Sequence, residues 1–172
     1  GVNGQAADFS GEEYIHVYPN APLDMSEGRF TISSWVYPDN SGSSTVRSYP
    51  QGIFGKYTSH RATNSVHGDD KAYPTLLRIG RKLRFGFGDG DNWQWRTTDD
   101  VLSTNAWNHV VVAFGPTYGS DGTFDGNVAT IYVDGRVAGS WNFDEAAPTG
   151  RTKEFYIGRS TDQARVNLDS IY

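Results

Sequence analysis

The stretch Val128-Ala129-Thr130-Ile131-Tyr132-Val133-Asp134-Gly135-Arg136-Val137-Ala138-Gly139-Ser140-Trp141 decides the fold class. Val128, Thr130 and Tyr132 alternate with Ala129, Ile131 and Val133. A period of two is the mark of a strand with one packed face. Asp134-Gly135 then interrupts the alternation. Asp-Gly is a strong two-residue hairpin signal, because both turn positions need positive φ. Residues 136–141 are therefore the returning strand.

Working outward, the same period recurs. Phe30, Ile32, Ser34 and Val36 alternate with Thr31, Ser33, Trp35 and Tyr37; Leu83, Phe85 and Phe87 alternate with Arg84, Gly86 and Gly88. His109-Val110-Val111-Val112-Ala113-Phe114 is a continuous apolar run, which predicts a strand covered on both faces. Gly80-Arg81 is placed to join strands at 76–79 and 82–87 as a second tight hairpin. The best helical candidate, residues 23–27, is at most one turn. Three segments read as long loops, 39–49, 58–73 and 117–127, and loops of that length are often functional. Ten or more short strands with turn signals between them predict an all-β, two-sheet antiparallel sandwich or barrel. With no internal repeat and no linker, a single domain over 1–172 is expected.

Composition agrees. Of 172 residues, 14% are aromatic, 20 are Gly and one is Met, a balance that suits strands joined by tight turns. The formal charge of −5 argues against a nucleic-acid partner, which calls for a basic field. The lack of Cys excludes thiolate metal sites and Cys nucleophiles. No apolar run approaches the ~18 residues of a membrane span. The chain opens at Gly1, without Met or a basic-apolar leader, and reads as a mature product or an excised piece.

The order of motifs narrows the fold. Gly4-Gln5-Ala6-Ala7-Asp8-Phe9-Ser10-Gly11 precedes Tyr14-Ile15-His16-Val17; Phe30-Thr31-Ile32-Ser33-Ser34-Trp35-Val36 and Gly52-Ile53-Phe54-Gly55-Lys56 follow. Trp107-Asn108-His109-Val110, Ile131-Tyr132-Val133-Asp134-Gly135, and Tyr156-Ile157-Gly158 before Leu168-Asp169-Ser170-Ile171-Tyr172 complete the series. This succession resembles the laminin G-like domains of the concanavalin A-like lectin/glucanase superfamily, in particular the bacterial branch. The resemblance implies a jelly roll of one concave and one convex sheet, and an extracellular or cell-surface address. It also implies a structural Ca²⁺ between the first and last strands. Asp8 and Asp169 match the acidic positions of those strands, and Gly11 offers a carbonyl, the oxygen chemistry that a hard cation takes. The family's usual last strand runs a few residues beyond Tyr172.

Catalytic carboxylates are the next question. Glycosidases on this fold set two acids a few residues apart on one strand. The five Glu residues are Glu12, Glu13, Glu27, Glu145 and Glu154, and no Glu-x-Asp-x-Glu pattern occurs. Asp69-Asp70 and Asp99-Asp100 are adjacent pairs, which on a strand point to opposite faces and in a turn are ordinary turn residues. His60 and His67 lack metal-ligand spacing, and His109 reads as a hydrogen-bonded structural histidine. The chain is therefore expected not to be an enzyme.

Sugar binding needs flat aromatic faces and polar groups that fork onto hydroxyls. Trp93 and Trp95 share one face if residues 93–95 are a strand. Arg78 and Arg84, with Gly86 and Gly88, are placed on the face opposite Leu83, Phe85 and Phe87, and Tyr57, Tyr73, Asp69 and Asp70 at its rim. Trp35, Trp107 and Trp141 read as fold-position tryptophans. Three functions follow, in this order: a non-catalytic carbohydrate-binding module of a larger secreted or cell-surface protein, binding a glycan; an adhesion module binding an extracellular protein through its loop rim; and a glycan-cleaving enzyme with an unfamiliar site.

Overall fold

The computed structural model describes residues 6–9, 13–17, 25, 28–39, 50–55, 74–88, 93–144, 146–148 and 155–158. Ten strands appear among them: β1 (Ile15–Val17), β2 (Phe30–Val36), β3 (Gln51–Gly55), β4 (Thr75–Ile79), β5 (Lys82–Gly88), β6 (Trp93–Thr97), β7 (Asn108–Tyr118), β8 (Phe124–Val133), β9 (Arg136–Asn142) and β10 (Phe155–Ile157). They form two sheets, one ordered β1-β10-β3-β4-β5-β6 and the other β2-β7-β8-β9. Every pairing is antiparallel.

The two hairpins form where their dipeptides sit. Asp134 (φ 50°) and Gly135 (φ 76°) both take the positive φ that a two-residue turn needs between β8 and β9. Between β4 and β5 only Gly80 (φ 60°) does so, the pattern of a turn with Gly at its first central position. The segment 117–127 is not a long loop. Strand β7 runs on to Tyr118 and β8 begins at Phe124, with a bulge between Thr117 and Tyr118. Small and polar residues there had concealed two strand ends. Of the one-turn helix expected at 23–27, only Met25 lies among the described residues.

The inward sets are Phe30, Ile32 and Val36 of β2, Val110, Val112 and Phe114 of β7, and Ala129, Ile131 and Val133 of β8. Facing them from the other sheet are Leu76, Leu83, Phe85 and Phe87. Phe85 is completely buried and lies within ring contact of Phe30, Phe87, Phe114 and Phe143, at centroid separations of 6.1–6.3 Å. Such tilted and edge-on rings suit the aromatic quadrupole. Strand β7 is not covered on both faces: its residues alternate buried and half-buried, because only β5 and its neighbours pack on one side of it. The connection into β7 is pinned by buried Asn108, whose amide donates to the carbonyls of Ser103 and Ala106 and whose Oδ1 accepts from Ser103 N.

Phe85→Ala is expected to cost about 3–5 kcal/mol, since truncation leaves a cavity among four rings. Val137, 63% exposed on the outer side of β9, is expected to tolerate Val137→Ala within about 0.5 kcal/mol. Urea denaturation of both variants measures the difference.

Candidate functional site

The outer face of the six-stranded sheet is fixed by what β5 buries. With Leu83, Phe85 and Phe87 inward, Arg84, Gly86 and Gly88 must point outward. Strand β6 pairs with β5 through Arg84↔Thr97, Gly86↔Trp95 and Gly88↔Trp93. Directly opposed residues share a face. Trp95 therefore sits at an outward position, beside Arg84 and Thr97, and Trp93 at the register position opposite Gly88.

The indole of Trp95 is half-buried and lies on Gly86. A Cβ on Gly86 would meet Cε3 of Trp95 and the carbonyl of Gln94, and would come within 2.6 Å of Cδ2. The glycine is thus the bare patch that lets the ring lie flat against the sheet. Arg84 donates from Nε to Thr97 Oγ1 at 3.0 Å, which braces its stem beside this ring. Further across the sheet the outer face is closed: Thr75 and Leu77 of β4 and Gly52 of β3 are all buried. Access on this face is consequently from the β6 side, the margin of the sheet. On its inner side β6 carries Arg96, whose guanidinium sits 4.6 Å over the Phe143 ring and donates to the Trp95 carbonyl.

Arg78 does not belong to this surface. It opposes Leu83 and so faces inward, with 3% of its surface exposed and Nε donating to the Gly80 carbonyl. The cause is the two-residue turn: Ile79 pairs with Lys82 and Arg78 with Leu83, so even-numbered residues of β4 share a face with odd-numbered residues of β5. Tyr57, Tyr73, Asp69 and Asp70 lie outside the described residues, as do Gly11 and Asp169. Asp8 is exposed and precedes β1 rather than forming part of a strand. Among the described residues no group of three or more His, Cys, Asp or Glu gathers as a metal site, so the fit to Ca²⁺ rests on Asp8 alone. Asp99 and Asp100 are exposed in a bend, as turn residues are.

The opposite face of the molecule, the outer side of the four-stranded sheet, carries one of the fold-position tryptophans. Trp35 is 47% exposed and tilts against the His109 ring at 4.9 Å. His109 does have the expected hydrogen bond, to Ser33 Oγ at 2.8 Å, but on this half-exposed face rather than in a covered strand. The alternation of Trp35 with Phe30, Ile32 and Val36 was the signal for its outward position. At the hairpin between β7 and β8, Thr123 donates its hydroxyl and its backbone N–H to Asp121 Oδ1, which holds that carboxyl below its ordinary value.

A laminin G family profile, described as the Concanavalin A-like lectin/glucanases superfamily, matches residues 9–169. No curated protein sequence matches the chain. Among solved structures, domains LG4-5 of the mouse laminin α1 chain superpose with a TM-score of 0.61 at 16% identity, over 95% of this chain and 37% of that one. The Ruminococcus gnavus IT-sialidase CBM40, solved bound to α2,3 sialyllactose, gives 0.58 at 9% identity, over 96% and 87%. The botulinum neurotoxin serotype D ligand-binding domain in complex with N-acetylneuraminic acid gives 0.60 at 14%, over 88% and 33%. The chain thus spans about a third of the length of the laminin and toxin structures.

Gly86→Ala tests the ring packing. It is expected to destabilise the fold by about 1–3 kcal/mol and to displace the Trp95 indole N–H resonance. An unchanged resonance contradicts the packing of Trp95 on Gly86.

Proposed function

The chain belongs to the Concanavalin A-like lectin/glucanases superfamily, and from that membership and the geometry of its sheets we propose a non-catalytic glycan-binding module. The observation that carries the proposal is Trp95 laid flat on Gly86 at the margin of the six-stranded sheet, with Trp93 at the next outward position of the same strand. An indole packed against a sheet takes the C–H face of a pyranose at little entropic cost, because the ring is already ordered. Arg84, braced on Thr97, and the Thr97 hydroxyl supply donors beside it for sugar hydroxyls. The glycan-bound CBM40 and toxin structures that share this fold support the reading.

Nothing in the proposed contact calls for acid–base chemistry, so binding without bond cleavage is the activity assigned. An extracellular or cell-surface setting, within a larger protein, goes with it. A Ca²⁺ on Asp8, the Gly11 carbonyl and Asp169 is part of the same proposal. Its support is that Phe9, next to Asp8, packs its ring on Gly158 at the end of β10, the strand beside β1.

Affinity electrophoresis through a panel of neutral and acidic polysaccharides tests the function. Retardation by at least one polysaccharide is expected, without release of reducing ends. Trp95→Ala is expected to weaken it by about 2 kcal/mol, roughly thirtyfold. Retardation by none, or a Trp95→Ala variant that binds like the parent, overturns the proposal.

A further inference from the structure

A second surface lies away from β6, where β2 begins and β7 ends. Strand β2 starts at Phe30, opposite Phe114, so among the described residues β7 beyond that point pairs with β8 alone. Pro116, which has no N–H to give a second neighbour, falls in this one-sided stretch. The gap left by β2 is a shallow depression of about 460 Å³ lined by Arg29, Thr31, Gly115, Pro116 and Tyr118 and by the edges of Phe30 and Phe114.

Three features of its lining point the same way. Tyr118 is 56% exposed and Phe124 47%, and their rings meet edge-on at 6.3 Å, so two large apolar faces stand in water at a steep angle. Arg29 runs its stem past Gly115 and donates from Nη2 to the Tyr118 hydroxyl at 3.2 Å, which holds a guanidinium at the tip of the Tyr118 ring. Among the described residues no carboxylate pairs with Arg29, although the protein carries a net charge of −5. Near the two rings, Asp121 is engaged by Thr123 and Asp125 is exposed, while Asp24 and Glu27, the acids closest to Arg29 in sequence, lie outside the described residues. Another depression of similar size, at the Asp134-Gly135 turn, holds Arg136 but no aromatic ring, and so lacks the stacking half of the chemistry.

We propose that the Arg29–Tyr118–Phe124 shelf is a separate binding site for a carboxylated sugar ring. The guanidinium takes the carboxylate through paired charge-assisted hydrogen bonds, in the fork geometry Arg presents. The C–H face of the sugar lies on Tyr118 or Phe124, and Thr31 offers a hydroxyl to the ring. Gly115 and Pro116 form a floor without side-chain donors, so the carboxylate decides selectivity.

The test is titration of the ¹⁵N-labelled chain with methyl glucuronide, with methyl glucoside, which lacks only the carboxylate, and with N-acetylglutamate amide, which lacks only the sugar. Methyl glucuronide is expected to shift the amides of Gly115, Tyr118 and Phe124. The other two are expected to leave them in place, and high salt to weaken the binding. Arg29→Gln should weaken it about tenfold or more, with amides elsewhere unmoved as the check on folding. Tyr118→Phe, which keeps the ring but releases the guanidinium, should weaken it less. The site does not depend on the β6 surface, so Trp95→Ala is expected to retain the Gly115 and Tyr118 shifts in full. Equal shifts with the glucoside or the glutamate amide, or shifts that survive Arg29→Gln, overturn the proposal, as does the absence of any shift with the glucuronide.

Discussion

Phe85 reaches from the six-stranded sheet into the rings of Phe30 and Phe114 on the other sheet and is joined there by Phe87 and Phe143. Burying that one ring settles the orientation of all of β5, because a strand's side chains alternate and a slip by one residue would turn Arg84 into the core. The outward set follows as Arg84, Gly86 and Gly88, and the pairing of β5 with β6 then carries Trp93 and Trp95 to the same side. The proposed glycan surface is thus the geometric complement of the core, made from the alternate residues of the strand that packs it.

What those alternate residues are gives the surface its chemistry. A β-branched or aromatic residue at position 86 would stand up from the sheet and push the Trp95 ring aside; glycine lets it lie down. The inner side of the same strand spends Arg96 on the Phe143 ring, sealing the core where the sheet ends. One edge strand thereby closes the interior with a cation and faces solvent with an indole. The distant shelf reverses this division: there the aromatic rings of Tyr118 and Phe124 are in water and the cation braces them.

Much of this was legible in the residues. The period of two and the Asp134-Gly135 hairpin needed no coordinates, since each is local geometry. The errors came where the pattern crosses a turn or ignores a layer. Arg78 was placed beside Arg84 by counting even positions, yet a two-residue turn pairs even with odd and sends Arg78 inward. The run from His109 to Phe114 looks buried on both sides because Val111 and Ala113 are apolar, but only one layer covers it. Trp35 reads as a fold-position tryptophan, and its alternation with Ser34 and Val36 assigns it to the outer face, where it stands. The Arg29–Tyr118 contact joins residues 89 apart in sequence, and no local signal announces it.

Trp95 on one sheet and Trp35 on the other thus each offer an indole, and the account assigns the glycan of the β6 surface to the first. Intermolecular NOEs between the ring protons of a bound oligosaccharide and the indole protons decide between them most directly. The account predicts NOEs to Trp95, with none to Trp35. NOEs confined to Trp35 would contradict it.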